Sequence, residues 1–498
     1  MQSNVSALVL SSRFVVFSST LVCRVTPVLL AVFALAVEYR VRLRSPADCE
    51  FFEVRLQELL RELGRRMVEW TYNHIEPDDP SLLPPQIEFE REVYRRRGKS
   101  PHRGFVSTLF GSIKLVRCLY QPFTPGEPAI FPLEIKLGIE AGGATPALAL
   151  RVSQLAASMT QQQTLDVLRL EHNLCWSVTT LRKLLESMAE QLSSIRHKIL
   201  VDRILDLLRQ ANESKGPRKI VFAVGRDGLM LPMKNCQSYQ EGATATITVY
   251  GRSGKRFGTV YLGQMPQSGQ GTLSEQLTRL IQEVLERWQG PLPRLCYVTD
   301  AGFHPTDYFR NTLRCMRHPV TNKPLVWQWV VDYFHVCGYI SKLAEAIFGE
   351  GKEAAAWARK MRRWLKDKAN GAYRLLHSAA ALRDKRGLKG SAQQFADACR
   401  FLRNRLPYLN YTGYRRRGLP IGSGVTEAAC KTVFTYRFKQ SGMKWTNVGG
   451  QMILDLCVLL LSGVWNQAAD AYLAHKPTIT LQYPTEFQKT HQPFKIAA

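Results

Sequence analysis

Two apolar runs in the middle of this chain lead to an aspartate and a glycine-broken turn leads to a glutamate, and no other feature narrows the fold as far. The run Lys219-Ile-Val-Phe-Ala-Val-Gly225 precedes Asp227, and Arg294-Leu-Cys-Tyr-Val-Thr299 precedes Asp300. Short apolar runs of this kind read as buried strands, so each carboxylate is expected at the carboxyl edge of a strand. Glu427 follows Ile421-Gly-Ser-Gly424, and residues 426–433 contain neither Pro nor Gly, which predicts a helix with Glu427 in its first turn. Oxygen ligands from two strand ends and a helix can hold a pair of hard cations about 4 Å apart, one activating an attacking oxygen and one stabilising a leaving oxygen. A single Asp after a strand is ordinarily a turn residue. A set with one consistent topology points to phosphodiester chemistry.

The residues between these carboxylates extend the pattern. Strands are expected over 244–250 and 257–262, joined at Arg252-Ser-Gly-Lys255 by a hairpin turn. A helix over 273–288 carries Leu273, Leu277, Leu280, Ile281, Val284 and Leu285 along one side. After the Asp300 strand come a helix starting near Pro305 and Thr306 and an apolar strand over 325–331. The order is strand, strand, strand, helix, strand, helix, strand. It predicts an α/β fold with a mixed sheet, in the order of the ribonuclease-H-like fold.

On five stretches the chain resembles the DDE transposases of bacterial insertion sequences, in particular the Kra-type group related to the Mutator-like superfamily. They are Asp227-Gly228, Thr299-Asp300-Ala-Gly302, Val331-Asp-Tyr-Phe-His335, Pro420-Ile-Gly-Ser-Gly-Val-Thr-Glu427 and Ser441-Gly-Met-Lys-Trp-Thr446, within residues 218–465. Each is weak alone, and the ordered set is fairly specific. The resemblance implies an RNase H-like catalytic core (residues 216–337 and 419–466) interrupted by an all-helical insertion (338–418). It implies a metal triad of Asp227, Asp300 and Glu427 for Mg²⁺ or Mn²⁺, with Asp332 and His335 as an extra catalytic motif. It further implies double-stranded DNA as partner, cut at the ends of the element and joined to target DNA by a homo-oligomer in the bacterial cytoplasm, at the nucleoid. Neither a small-molecule substrate nor a membrane enters this reading. A nuclease that hydrolyses without strand transfer, and a catalytically silent DNA-binding remnant, are the alternatives.

The residues themselves leave several assignments open. Asp332 and His335 lie one helical turn apart after a strand, which puts both toward one cleft, with His335 near the scissile phosphate; a helix-capping Asp332 and a packed His335 are the bland counterpart. Cys315-x-x-His318 ahead of Asp332-x-x-His335 also has the residue types of a zinc site, although structural zinc favours more thiolate. The insertion reads as helices over 338–348, 354–368 and 392–403. Its basic run Arg359, Lys360, Arg362, Arg363 and Lys366, with Arg415-Arg416-Arg417 beyond, is either a solvated face or a phosphate-binding one. Trp357 and Trp364 share one side of a helix, more as core anchors than as base-stacking platforms. Lys431, one turn beyond Glu427, and then Arg437 and Lys439 are placed to hold DNA phosphates, with a solvated helix as the plainer reading. Trp445 is expected to pack.

Sixty-seven basic against 41 acidic side chains give a net charge of +26, an electrostatic footprint for polyanions. Eleven cysteines occur without a Cys-x-x-Cys pair, which excludes a zinc ribbon of that spacing, indicates no disulfide framework and fits a reducing compartment. The resembled family commonly carries closely spaced cysteines ahead of its DNA-binding helices, whereas here only Cys118 stands in Lys114-Leu-Val-Arg-Cys-Leu-Tyr120. Residues 112–120 read as a strand before a Pro-rich stretch at 122–132. Helices over 146–159, 164–170 and 177–185, with a break at His172-Asn173 and Ser177 as N-cap, make residues 160–190 a helix-turn-helix candidate within a DNA-binding region of 101–215. Its second helix would present Thr179, Thr180, Arg182 and Lys183 to a major groove; a plain helical packing unit has the same pattern.

At the start, residues 8–37 are apolar around Arg13 and Arg24 and lead to Tyr39-Arg-Val-Arg-Leu-Arg44. Residues 25–37 alone are short for a bilayer span, while Arg24 before them and Ala34-Leu-Ala36 at their end imitate a signal peptide. Export would separate a DNA enzyme from DNA. Residues 1–45 are therefore expected to be an extension from a misassigned start, ahead of a helix over 51–75 and a Pro-rich linker within 46–100. Residues 467–498 read as a tail.

Overall fold

The computed structural model describes residues 12–97, 102–234 and 238–481. The chain divides into two compact units, residues 1–188 with 472–498, and residues 189–471.

The first unit begins with helices α1 (Ser12–Arg42) and α2 (Pro46–Asn73), and Ser45 starts α2 in a capping box with Asp48. The two form an antiparallel hairpin. Tyr39 stacks on Phe51 at 5.7 Å, while Arg66 donates to the Arg24 carbonyl at 2.8 Å and the Trp70 indole to Thr20 at 3.1 Å. The helix continues through Arg24, whose guanidinium lies 3.6 Å from Glu69 of α2. Thr20–Arg42 is long and apolar enough to cross a membrane by length and composition. The start of the apolar run, residues 8–11, lies outside the described residues.

Short strands follow, β1 (Gln86–Phe89), β2 (Glu92–Arg96), β3 (His102–Thr108), β4 (Gly111–Arg117) and β5 (Tyr120–Pro122); β4 covers most of the strand expected over 112–120, while β1 and β2 fall within the stretch read as linker. They form the sheets β1-β2-β5 and β3-β4. Helix α3 (Pro132–Leu137) follows, then α4 (Pro146–Ser158) and α5 (Gln161–His172), which ends on left-handed Asn173 where the sequence shows a break. The next helix, α6 (Val178–Glu213), corrects the expected short second helix: it runs for 36 residues, since no Pro or Gly interrupts the sequence beyond Leu185.

The second unit is built on a five-stranded mixed sheet. Strands β6 (Val221–Leu231), β7 (Gln240–Tyr250) and β8 (Arg256–Gln264) form an antiparallel meander. Helix α7 (Gly271–Arg287) buries all six apolar residues that predicted it. It leads to β9 (Arg294–Thr299), helix α8 (Phe303–Tyr308) with a π-turn at Phe309–Leu313, and β10 (Trp327–Val331). The spatial order is β10-β9-β6-β7-β8, with β9 parallel to both β6 and β10. Strand residues alternate between faces. Arg226 accordingly reaches Ser274 of α7 on one side, at 2.9 Å, while Gly225 on the other meets Thr426.

Five helices separate β10 from the Glu427 turn: α9 (Tyr333–Phe348), α10 (Lys352–Asp367), α11 (Gly371–Arg386), α12 (Ala392–Asn404) and α13 (Tyr411–Arg416). Three match expectation, α9 beginning five residues before the expected 338, and α11 was not read from the sequence. Then come α14 (Gly424–Ala429), a π-turn at Cys430–Thr435 and α15 (Tyr436–Phe438), one continuous helical stretch. Helix α16 (Asn447–Leu461) packs on β8, where Leu454 lies against Gly263, and α17 (Trp465–Ala474) follows. Of the expected tail, residues 482–498 lie outside the described residues.

Candidate active site

Strand register brings the first two carboxylates level. Gly225 of β6 pairs with Val298 of β9, so two residues further on Asp227 stands beside Asp300 and on the same face. Asp227 does not end its strand, as the sequence suggested; β6 continues to Leu231 because β7 pairs with it to the end. The parallel partner β9 stops at Thr299, which leaves Asp300 at a strand end as expected. The backbone then turns sharply, with Ala301 in the left-handed region at φ 65° and the Gly302 N–H donating to Asp300 at 2.8 Å.

Glu427 is delivered by the seating of its helix. A Cβ on Gly225 would stand 2.0 Å from the Thr426 hydroxyl, so α14 lies on β6 where the strand lacks a side chain, and Thr426 bonds Thr246 of β7 at 2.9 Å. One turn after Glu427, the buried Cys430 thiol lies 3.3 Å from Asp227 and 3.3 Å from Thr244. The π-turn that begins at Cys430 is a local distortion often found at functional sites.

Asp227 carries the electrostatic signature of the site. Burial raises its carboxyl from 3.8 to about 6; the Gly228 N–H and the Cys430 S–H oppose this, and the charges of Asp300 and Glu427 add to it. The same desolvation, with Asp227 beside it, pushes the Cys430 thiol up, so it stays a neutral donor. Among the described residues, no three His, Cys, Asp or Glu side chains are gathered tightly enough to enclose an ion by themselves. Asp227, Asp300 and Glu427 are near enough for the charges of the last two to act on the first. They suit hard divalent cations, being oxygen donors that repel one another unless a cation lies between them.

Asp332 and His335 are not equivalent. Asp332 is 0% exposed and caps α9, accepting from the His335 N–H at 2.8 Å, and it also accepts from the Ser423 N–H, with the Ser423 hydroxyl beside it. Both of its oxygens accept from backbone N–H groups, so the capping role that the sequence left open is present at Asp332. The His335 side chain is exposed, beside the Tyr339 and Phe401 rings at 5.5 and 5.8 Å.

Of the expected DNA contacts, Thr179, Arg182, Lys183, Arg363, Arg416 and Lys431 are exposed. Thr180 is half-buried, its N–H held by Ser177 at 3.0 Å, which supports Ser177 as N-cap. Arg437 is a correction: it is 3% exposed, packed over the rings of Phe438 and Trp445, and so turned away from any surface phosphate. Trp445 packs on Phe438 at 4.6 Å, and Trp357 is a buried anchor bonded to Ser378 at 3.1 Å. Cys315 is exposed and lies 3.8 Å from the Arg310 carbonyl, while the His318 ring accepts from Val320 and Thr321, so the pair joins no ion-binding cluster among the described residues.

Sequence reading missed Gly225, Ser423, Cys430 and Arg405. Arg405, between α12 and a short 3₁₀ turn, donates to the Ala301 carbonyl at 2.9 Å and stacks over Phe401 at 4.0 Å. It thereby pins the turn after Asp300. Spacing carries no signal for a contact across 104 positions. For Gly225 and Ser423 there was a signal, a glycine inside an apolar strand and a serine between two glycines.

No family model matches the chain, and no curated protein matches it as a relative. The functional reading therefore rests on geometry and on the motifs themselves.

Proposed function

We propose that the chain is a DDE-type transposase whose RNase H-like core cuts DNA at the ends of a mobile element and joins them to target DNA. The observation that carries this reading is the level placement of Asp227 and Asp300 on neighbouring parallel strands, with Glu427 held over them by a helix seated at Gly225. Three antiparallel strands followed by two parallel ones, in the order β10-β9-β6-β7-β8, support the core assignment. Helices α9–α13 form the insertion between β10 and the Glu427 turn.

In this reading Asp227, Asp300 and Glu427 would hold Mg²⁺ or Mn²⁺, which would supply activation of an oxygen nucleophile and stabilisation of the leaving oxygen. The protein's own groups fix the geometry. Gly228 and Gly302 N–H groups orient Asp227 and Asp300, and burial keeps water from screening Asp227. Exposed His335, Arg363, Arg416 and Lys431 neutralise phosphates, and Thr179, Arg182 and Lys183 of α6 contact the element ends. Pairing of two ends calls for more than one copy of the chain.

The test uses full-length protein with Mg²⁺ and DNA carrying the sequences that flank its gene. Joined products are expected. Cleavage without joining would replace this reading by a hydrolytic nuclease, and binding without cleavage by a DNA-binding remnant.

A further inference from the structure

A serine at the start of a helix normally accepts a hydrogen bond from a backbone N–H two or three residues on. Ser423 stands at that position before α14 and makes no such bond. Its buried hydroxyl lies between two carboxylates instead, against Asp332 on one side and 2.8 Å from Glu427 Oε1 on the other. Asp332 does not depend on that hydroxyl, since it also accepts from the backbone N–H groups of Ser423 and His335. For the Glu427 carboxylate, Ser423 is the one hydrogen-bond donor among the described residues.

We infer that Ser423 is a positioning residue for Glu427, with Asp332 as its anchor, so that the end of β10 sets the direction of a ligand two hundred positions' distance from Asp227 in sequence. The inference rests on the metal-binding reading above and deepens it. Asp332 fixes the turn through the Ser423 N–H; the Ser423 carbonyl accepts from the N–H groups of Thr426 and Glu427 and starts the helix. The hydroxyl then holds Oε1, which restricts the Glu427 side chain and leaves Oε2 for a cation. A serine hydroxyl carries a single proton and can give it to one carboxylate only; Asp332 is already held by two backbone N–H groups, so the proton is left for Glu427 Oε1. Groups that orient a metal ligand from behind are worth about 10–100-fold in metal affinity.

The experiment titrates Mn²⁺ into full-length protein without DNA and follows free Mn²⁺ by electron paramagnetic resonance, for wild type, Ser423→Ala, Glu427→Gln and the double variant. Ser423→Ala is expected to weaken Mn²⁺ binding about tenfold. Acting through Glu427, it should weaken Glu427→Gln no further. Thermal unfolding without metal, which reports a merely structural role, should match wild type for Ser423→Ala. Unchanged Mn²⁺ affinity in Ser423→Ala would overturn the inference, as would a loss that adds to that of Glu427→Gln. Wild-type protein that binds no Mn²⁺ would overturn the metal reading itself.

Discussion

Asp227→Asn is expected to lower Mg²⁺-dependent DNA cleavage by about three orders of magnitude while DNA binding persists. The amide keeps the shape of the side chain and an oxygen for the Gly228 N–H, 2.8 Å away in the wild type. What it loses is the negative charge of the ligand that both neighbours, Asp300 and Glu427, act upon. Metal-supplied stabilisation of transition-state charge is worth several kcal/mol, and each 1.4 kcal/mol is about tenfold in rate. Cleavage rates and gel-shift affinities of the two proteins measure the two halves of this expectation. A variant that cleaves within about tenfold of wild type would remove Asp227 from the catalytic set.

The same residue links stability to pH. In the fold its carboxyl titrates at about 6 against 3.8, chiefly because burial penalises the charge. The neutral acid is thus the form the fold prefers. Its contribution to stability is fully present below pH 3.8 and is lost as pH rises through about 6, a difference on the order of 3 kcal/mol. Metal-free wild type should therefore lose stability from this group between those limits, and Asp227→Asn should lack that component. Added Mg²⁺ favours the ionised carboxylate and should restore stability at neutral pH in the wild type alone. Melting temperatures across this window, with and without Mg²⁺, check the sign; parallel profiles for the two proteins would contradict it.

The core of the second unit was legible because its residues carry their own periodicity. Six apolar positions of α7 mark one face, and β8, β9 and β10 are short runs between turn residues. The hairpin β1–β2 was not legible: Glu90 and Arg91 take positive φ of 51° and 69°, where a tight turn of that kind ordinarily announces itself with Asn-Gly. Helix α11 hid behind a weak apolar face, with Leu375 and Ala379 among its few buried residues. In the site, residue types placed Asp227, Asp300 and Glu427, since their settings are local. Arg437 misled because a cation soon after Glu427 looks like a phosphate contact until Phe438 and Trp445 are seen to pack against it. The contact of Asp332 with Ser423 was not legible either, the two being 91 residues apart.

Gly225→Ala is expected to cost about 1–3 kcal/mol of stability and to abolish most metal-dependent activity, although it adds only a methyl group to a strand that favours side chains. The added carbon would stand 2.0 Å from Thr426 Oγ1 and 2.9 Å from Thr246 Oγ1. Neither hydroxyl has room to swing away, since both are buried and bonded to each other at 2.9 Å. The element that gives way is α14, and Glu427 is the next residue along it. Displacement by an ångström would leave the strand carboxylates in place and carry the third ligand off, and misplacements of that size cost about 100-fold in rate. Thr426→Ala removes the nearest obstructing atom and leaves Thr426 Cβ at 3.1 Å and Thr246 Oγ1 at 2.9 Å from the new methyl, contacts that still require a smaller shift. The double variant Gly225→Ala with Thr426→Ala should accordingly regain part of the Mg²⁺-dependent cleavage that Gly225→Ala loses. Full activity in Gly225→Ala alone would show that α14 does not depend on a bare strand at Gly225. A double variant as inactive as the single one would place the damage within the sheet, at Thr246, rather than in the seat of the Glu427 helix.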